Sequence, residues 1–338
     1  MIYLDHASTT PILPVALGAF CDAQYQSWGN PNSAHEFGEH AREKLEQARK
    51  TIAGCIHARP DEIHFTASAS DACQWAMETL SQNCAVTQVG ATEHSAVLHF
   101  PVRTNKGMKR RGYALMLANN ETGERYPAVK PENKTDLVFR DATAAMGHIP
   151  IDVRELGADM IAAGGHKFGA PCGVGFLYAK RGTPLAGRRD GTPPVAMISA
   201  MAAALKWHCE HMDENTRQIE KARYRFLGSV VKIPDIWVNG REFADEFQMP
   251  HILNVSFDGV DGKALALLCS RRGVMVSAGA ACTSGKNEPS HVILAMYGDE
   301  NRARSAIRVS FGHENAPHEA EQAAQIIAEC VAHLRSIG

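Results

Sequence analysis

Short apolar runs recur through the first half of this chain, each set apart by helical or loop segments. They are Glu62-Ile-His-Phe-Thr66, Tyr113-Ala-Leu-Met-Leu117, Asp136-Leu-Val-Phe-Arg140, Asp159-Met-Ile-Ala162 and Gly173-Val-Gly-Phe-Leu-Tyr178. Strands separated in this way indicate an α/β layer with a mostly parallel sheet. Ahead of them, Ser33 and Glu36 form a capping-box signature. Phe37, Ala41, Leu45, Ala48 and Ile52 then make an apolar stripe that predicts a helix from Ser33 to Ala53. Thr192 is expected to cap a second long helical stretch, which begins at Pro193-Pro194 and runs past Trp207 toward Leu227 with a break.

After that helix the pattern changes. Ile252-Leu-Asn-Val-Ser-Phe257, Val274-Met-Val276 and Ile307-Arg-Val-Ser310 read as strands of a smaller α+β domain, closed by a helix from Pro317 to Ile337. The expected division is a large α/β domain over 12–213 and a small domain built from 1–11 and 214–338. No internal repeat or low-complexity segment is present.

Composition narrows the function classes. The 338 residues are 45% hydrophobic and 21% charged, with a formal net charge of -2. That balance supplies no overall field for nucleic acid or an anionic membrane. The basic cluster Lys106-Gly-Met-Lys109-Arg110-Arg111 reads as a solvated turn. No window approaches the roughly 20 apolar residues that span a bilayer, and the Met-Ile-Tyr-Leu start lacks the features of an export signal. Nine cysteines are scattered without a Cys-x-x-Cys pair. An odd, scattered set argues for free thiols in a reducing cytoplasm. His208-Cys209-Glu-His211 reads as the polar face of a helix, and no metal site is expected.

A few residues stand out for chemistry. Cys282 lies in Ser277-Ala-Gly-Ala-Ala-Cys-Thr-Ser-Gly285, where small neighbours leave a thiol room to be exposed and mobile. Lys167 follows Gly164-Gly-His166 at the end of an apolar run and can form a Schiff base in a confined site. Pyridoxal phosphate (PLP) needs such a lysine, an acid for its ring nitrogen, and donors for its phosphate. Asp141, at the end of a strand, could be the acid, placed at the carboxyl edge where open α/β sheets bind ligands. Thr66-Ala-Ser-Ala69-Ser70-Asp-Ala72 follows a strand and opens a helix, which suits an anion. Taken singly each has a plainer reading: Asp141 as a turn cap, the Thr/Ser turn as a helix cap, His94 as a structural histidine.

Together, the order of motifs resembles the cysteine desulfurases of the class-V aminotransferase family. The resemblance rests on Asp5-His-Ala-Ser-Thr-Thr-Pro11, Gly29-Asn-Pro-Asn-Ser33, Thr92-Glu-His94, Asn119-Asn120-Glu-Thr-Gly123, Asp141-Ala-Thr143, Gly-His166-Lys167, Gly191-Thr192, the Cys282 loop with Glu288-Pro-Ser290, and Ile307-Arg308-Val-Ser310. The loop is similar to that of the subgroup with a long cysteine loop. The resemblance implies a PLP-dependent transferase fold of type I, with the active site between domains in a cytoplasmic homodimer. It also implies that Lys167 holds PLP, that His94 stacks on its ring and assists proton transfer, and that Asp141, Ala69, Ser70, Asn120 and His166 contact the cofactor. Thr192 would reach the phosphate in the partner subunit, and Asn120 and Arg308 would hold the carboxylate of L-cysteine. Cys282, as thiolate, would take the sulfur as a persulfide, releasing L-alanine and passing the sulfur to an acceptor protein.

The chain departs from that pattern at identifiable places. Ala144 stands where the family has a glutamine, Gly164 where it has a serine, and Ser68 where it has a glycine. The stretches from His94 to Asn119 and from Lys167 to Thr192 are short, and the sequence ends at Gly338 without the tail that docks a scaffold protein. These features imply a specialised sulfur donor with its own acceptor. Two other readings stand beside the desulfurase: a lyase acting on selenocysteine or cysteine sulfinate, and a non-catalytic, desulfurase-like partner protein.

Overall fold

In the computed structural model, which describes residues 1–101, 107–187, 191–241, 245–279 and 288–337, the chain divides into two units. Unit 1 comprises Met1–Thr10, Ala118–Arg125 and Met212–Gly338; unit 2 comprises Pro11–Leu117 and Tyr126–His211. In chain order the strands are β1 (Ile2–Tyr3), β2 (Ile63–Thr66), β3 (Val86–Val89), β4 (Arg111–Ala114), β5 (Leu137–Asp141), β6 (Met160–Gly164), β7 (Gly175–Ala179), β8 (Ile236–Asn239), β9 (Ile252–Phe257), β10 (Val274–Met275) and β11 (Ala306–Ser310). The helices are α1 (Pro14–Gln26), α2 (Glu36–Cys55), α3 (Ala69–Asn83), α4 (Ser95–Leu98), α5 (Val195–Glu210), α6 (Met212–Val230), α7 (Gly262–Arg271), α8 (His291–Tyr297), α9 (Glu300–Arg304) and α10 (Pro317–Ile337).

Unit 2 is built on a six-stranded sheet of order β2-β7-β6-β5-β4-β3. Strands β3 to β6 pair in parallel, while β7 is antiparallel to both β6 and β2. Two reversals restore direction, so β2 runs the same way as β3–β6. The expected apolar runs become β2, β4, β5, β6 and β7, which makes the sheet mostly parallel. Strand β3 is not among those runs, because it lies at the sheet edge with Val86 exposed. Trp75, Met77 and Leu80 of α3 pack with Phe139, Met160 and Leu177 of the sheet. Each such side chain stabilises by roughly 1.5–3 kcal/mol when fully buried.

Two helix starts differ from the sequence reading. Helix α2 begins at Glu36, with His35 as its cap: Gly38 N donates to His35 Nδ1 at 3.3 Å. Ser33 is instead drawn into the preceding turn, where its N–H donates to Asn30 O. The stripe Ala41, Leu45, Ala48 and Ile52 is buried, but Phe37 is exposed and packs on Trp28 with ring centroids 5.1 Å apart. Helix α5 begins at Val195 after Pro194, so Thr192 is an exposed residue ahead of the helix rather than its cap. The expected break falls at His211, whose Nδ1 bonds to Trp207 O and closes α5. His208 is buried rather than lying on a polar face. Among the described residues no group of three His, Cys, Asp or Glu is placed to hold a metal ion.

Unit 1 has an antiparallel sheet, β11-β9-β8, and the parallel pair β1-β10. Phe226, Phe257, Leu265, Ile307, Phe311 and Ile327 form the centre of its core. The octapeptide Ala118–Arg125, which the sequence reading leaves in the large domain, groups with this unit. Met249 N donates to Gly123 O at 2.7 Å and Arg125 N to Phe247 O at 2.9 Å. Gly123 closes the turn at φ +75°, a region that suits glycine. Among the described residues no helix is long and apolar enough to cross a membrane.

Candidate active site

Strand direction gathers the chemistry of unit 2. Because β2, β3, β5 and β6 run the same way, the segments leaving their C-terminal ends all emerge at one carboxyl edge of the sheet. Lys167 lies just past β6, in the short turn Gly165–Lys167. Asp141 ends β5 beside it, in register with Ala162. The segment Ala67–Ser70 leaves β2 and enters α3, and His94 comes after β3.

Each residue is fixed by local bonds. Asp141 is 5% exposed, accepts from Thr143 N at 2.9 Å through Oδ1, and holds its carboxylate beside the Cys73 thiol, which burial first and Asp141 second push up. The Lys167 carbonyl is bonded to His148 Nε2 at 3.1 Å, and Phe168 behind it is fully buried. Burial, with Lys167 alongside, pushes His166 down to about 4, so at neutral pH it offers an uncharged N–H. His94 accepts from Ala96 N through Nδ1 at 3.2 Å, capping α4, so the ring carries its proton on Nε2.

The turn before α3 explains two of the departures. Ser68 caps the helix: its Oγ accepts from Asp71 N at 3.1 Å. A Cβ at Gly164 would lie 2.9 Å from Ala69 Cβ, and one at Gly175 would lie 2.7 Å from the Ser68 carbonyl carbon. Glycine at both places lets the first turn of α3 press onto the ends of β6 and β7. A serine at position 164 would push it off. Ala69 is buried there, while Ser70 is exposed in the first turn.

These residues fit PLP. They provide a half-buried lysine, a carboxylate on the neighbouring strand end, and the N-terminus of a 15-residue helix for a phosphate. The buried Thr143 hydroxyl beside Asp141 also has no hydrogen-bond partner among the described residues.

Glu93, next to His94, was not singled out by the sequence. It is 1% exposed, and its Oε1 accepts from Met116 N at 2.6 Å. Burial pushes its carboxyl up to about 8. An unfolded glutamate releases its proton near 4.5, so between those values the folded chain binds the extra proton. Stability from this group is therefore complete at low pH and falls as pH rises through the window. In urea titrations at about pH 5 and pH 8, wild type should lose more stability on going to the higher pH than Glu93→Gln does. Parallel losses would show that Glu93 is ionised at neutral pH.

Unit 1 holds Asn120 and Arg308, and the structure brings them together. Arg308 Nη1 donates to Asn120 O at 2.9 Å. Arg308 is 1% exposed and its Nη2 pairs with Asp5 Oδ1 at 2.8 Å. Its backbone pairs with Ser277, N to O at 2.7 Å and back at 3.1 Å, at the start of the cysteine loop. On the far side of that loop, Ser290 Oγ donates to Glu121 Oε2 at 2.5 Å. Cys282 itself lies outside the described residues. Sequence reasoning missed Asp5 and Ser8 beside Arg308 in unit 1, and Glu93 and His148 in unit 2. Asp5 and Ser8 at least lie in a motif it had marked.

The sequence model of the family described as aminotransferase class-V matches residues 2–126, 101–184 and 182–322. A cysteine desulfurase of Gluconacetobacter diazotrophicus is 32% identical over 383 residues, covering 99% of this chain and 94% of that protein. A cysteine desulfurase IscS of Dictyoglomus turgidum is likewise 32% identical over 383 residues, covering 99% and 96%. Among solved structures, a NifS-like protein superposes with a TM-score of 0.87 at 27% identity, covering 98% of this chain and 99% of its own.

Proposed function

Since this chain belongs to the class-V aminotransferase family, we propose that it is a PLP-dependent cysteine desulfurase, which converts L-cysteine to L-alanine and keeps the sulfur as a persulfide on Cys282. The observation that carries this reading is the shared carboxyl edge, where Lys167, Asp141 and the start of α3 emerge together.

Bound PLP supplies an electron sink for the bonds at the substrate's α-carbon. Lys167 would hold the cofactor and move protons at Nζ. Asp141 would keep a proton on the ring nitrogen, which strengthens the sink. Ala69, Ser70, His166 and Asn120 would contact the cofactor, the N-terminus of α3 would suit its phosphate, and His94 would stack on its ring. Arg308 takes the substrate carboxylate through its planar donors. The Cys282 thiolate attacks the substrate sulfur: an S–S bond forms, the C–S bond breaks, and its electrons stay with the carbon fragment. That fragment is protonated and leaves as alanine. Reduction or transfer to an acceptor protein's thiol regenerates Cys282. The protein works in the cytoplasm as a homodimer, with Thr192 reaching the partner subunit's cofactor phosphate.

PLP-saturated protein given L-cysteine and a thiol reductant should release alanine and sulfide in equal amounts. Absence of alanine, with and without added thiol acceptors, would overturn the reading in favour of a non-catalytic partner protein.

A further inference from the structure

The opening segment Asp5-His-Ala-Ser8 has no part in the chemistry above, yet the fold ties it to Arg308. Ser310 N donates to Leu4 O at 2.8 Å and Ala7 N to Ser310 Oγ at 2.8 Å, so the segment beyond β1 runs beside the end of β11. That register lays Asp5 and Ser8 against the guanidinium. Arg308 Nη2 donates to Asp5 Oδ1 at 2.8 Å and to Ser8 Oγ at 2.5 Å. Ser8 Oγ in turn donates to Asp5 Oδ1 at 2.8 Å. With Nη1 on the Asn120 carbonyl, the buried Nε has no acceptor among the described residues.

Charge is balanced within this cluster. The Arg308 side chain is 2% exposed and Asp5 is 21% exposed. A buried guanidinium without an anion is strongly unfavourable, and Asp5 provides that anion before any ligand arrives. An incoming carboxylate therefore meets a cation that already carries a counter-charge, on a different edge of the same group.

We propose that Asp5 is the resident counter-ion of Arg308 and that its negative charge sets how tightly an amino-acid carboxylate is held there; this rests on the reading of Arg308 as the carboxylate ligand. The resting pair keeps Arg308 oriented. Repulsion between Asp5 and the bound carboxylate then keeps the site exchangeable. Cysteine and alanine present the same carboxylate, so a tighter grip would hold the product as firmly as the substrate and would not speed the chemical step.

The test uses the PLP-loaded protein, titrated with L-alanine and followed by the cofactor's visible absorbance. Asp5→Asn keeps an acceptor for Nη2 and for Ser8 and removes only the charge. Its Kd for L-alanine should fall roughly tenfold, and its KM for L-cysteine should fall with it, without a gain in kcat. An unchanged or raised Kd overturns the proposal, because a merely structural role for Asp5 predicts looser binding. If Asp5→Asn does not fold, Asp5→Ser also keeps an acceptor without the charge and carries the same expectation. Arg308→Gln separates the two readings. Unchanged alanine binding in that variant defeats the carboxylate role and the counter-ion with it. Weakened binding there, without tightening in Asp5→Asn, defeats the counter-ion alone.

Discussion

Replacing Lys167 by alanine should lower alanine formation from L-cysteine by about a thousandfold or more, since the change removes both the covalent anchor and a positioned proton carrier. The fold should tolerate it. The Lys167 backbone is held by the His148 bond to its carbonyl and by Phe168, fully buried next to it. Neither contact uses the lysine side chain, and alanine suits a turn of this kind. Activity alone would not prove attachment, so the second readout is chemical. Borohydride reduction of the PLP-loaded wild type should leave the cofactor fixed to the peptide containing Lys167, and the variant should carry none. A variant that still becomes labelled elsewhere and still turns over would show that another lysine does this work.

Cys282→Ser should remove L-cysteine desulfuration, by about a hundredfold or more, because a serine hydroxyl is a far weaker nucleophile than a thiolate at neutral pH. The same variant separates the desulfurase from a related lyase. Cleavage of selenocysteine needs no attacking thiol, so it should remain measurable while sulfur release from cysteine is lost. Cysteine turnover that survives in the variant would mean that the sulfur leaves by another route. Alanine can be counted directly, and the persulfide on wild-type Cys282 can be trapped by an alkylating agent and found by mass spectrometry.

Much of the fold was legible because its signals are local. Apolar runs such as Leu137-Val-Phe139 and Met160-Ile-Ala162 report burial on both faces, and they became adjacent strands of the sheet. The carboxyl edge of the sheet followed from strand direction, so Asp141 could be placed at it before any contact was known. What escaped depends on distance along the chain or on fit. Strand β3 alternates half-buried and exposed residues at an edge, so it leaves no apolar run. Ser33 carries the letters of a cap but is drawn into the turn with Asn30. Gly164 stood out only as a glycine where the family has a serine. Its meaning lies in Ala69, which a Cβ at Gly164 would meet at 2.9 Å. Arg140, inside an apolar run, is fully buried because its guanidinium donates to the carbonyls of Met116, Tyr126 and Pro127. The Asp5–Arg308 pair joins residues 303 positions apart, a separation that no local pattern reports.

That separation bears on how the protein is made. Chains emerge from the ribosome N-terminus first, and units fold as their residues become available. The last residue of unit 2 is His211, so its sheet, Lys167 and Asp141 can be assembled before strands β8, β9, β10 and β11 of unit 1 are made. Asp5 is made 303 residues ahead of Arg308 and must wait for it before its partner exists. The strand ends that carry Lys167 and Asp141 can therefore be in place well before Asp5 finds its counter-charge.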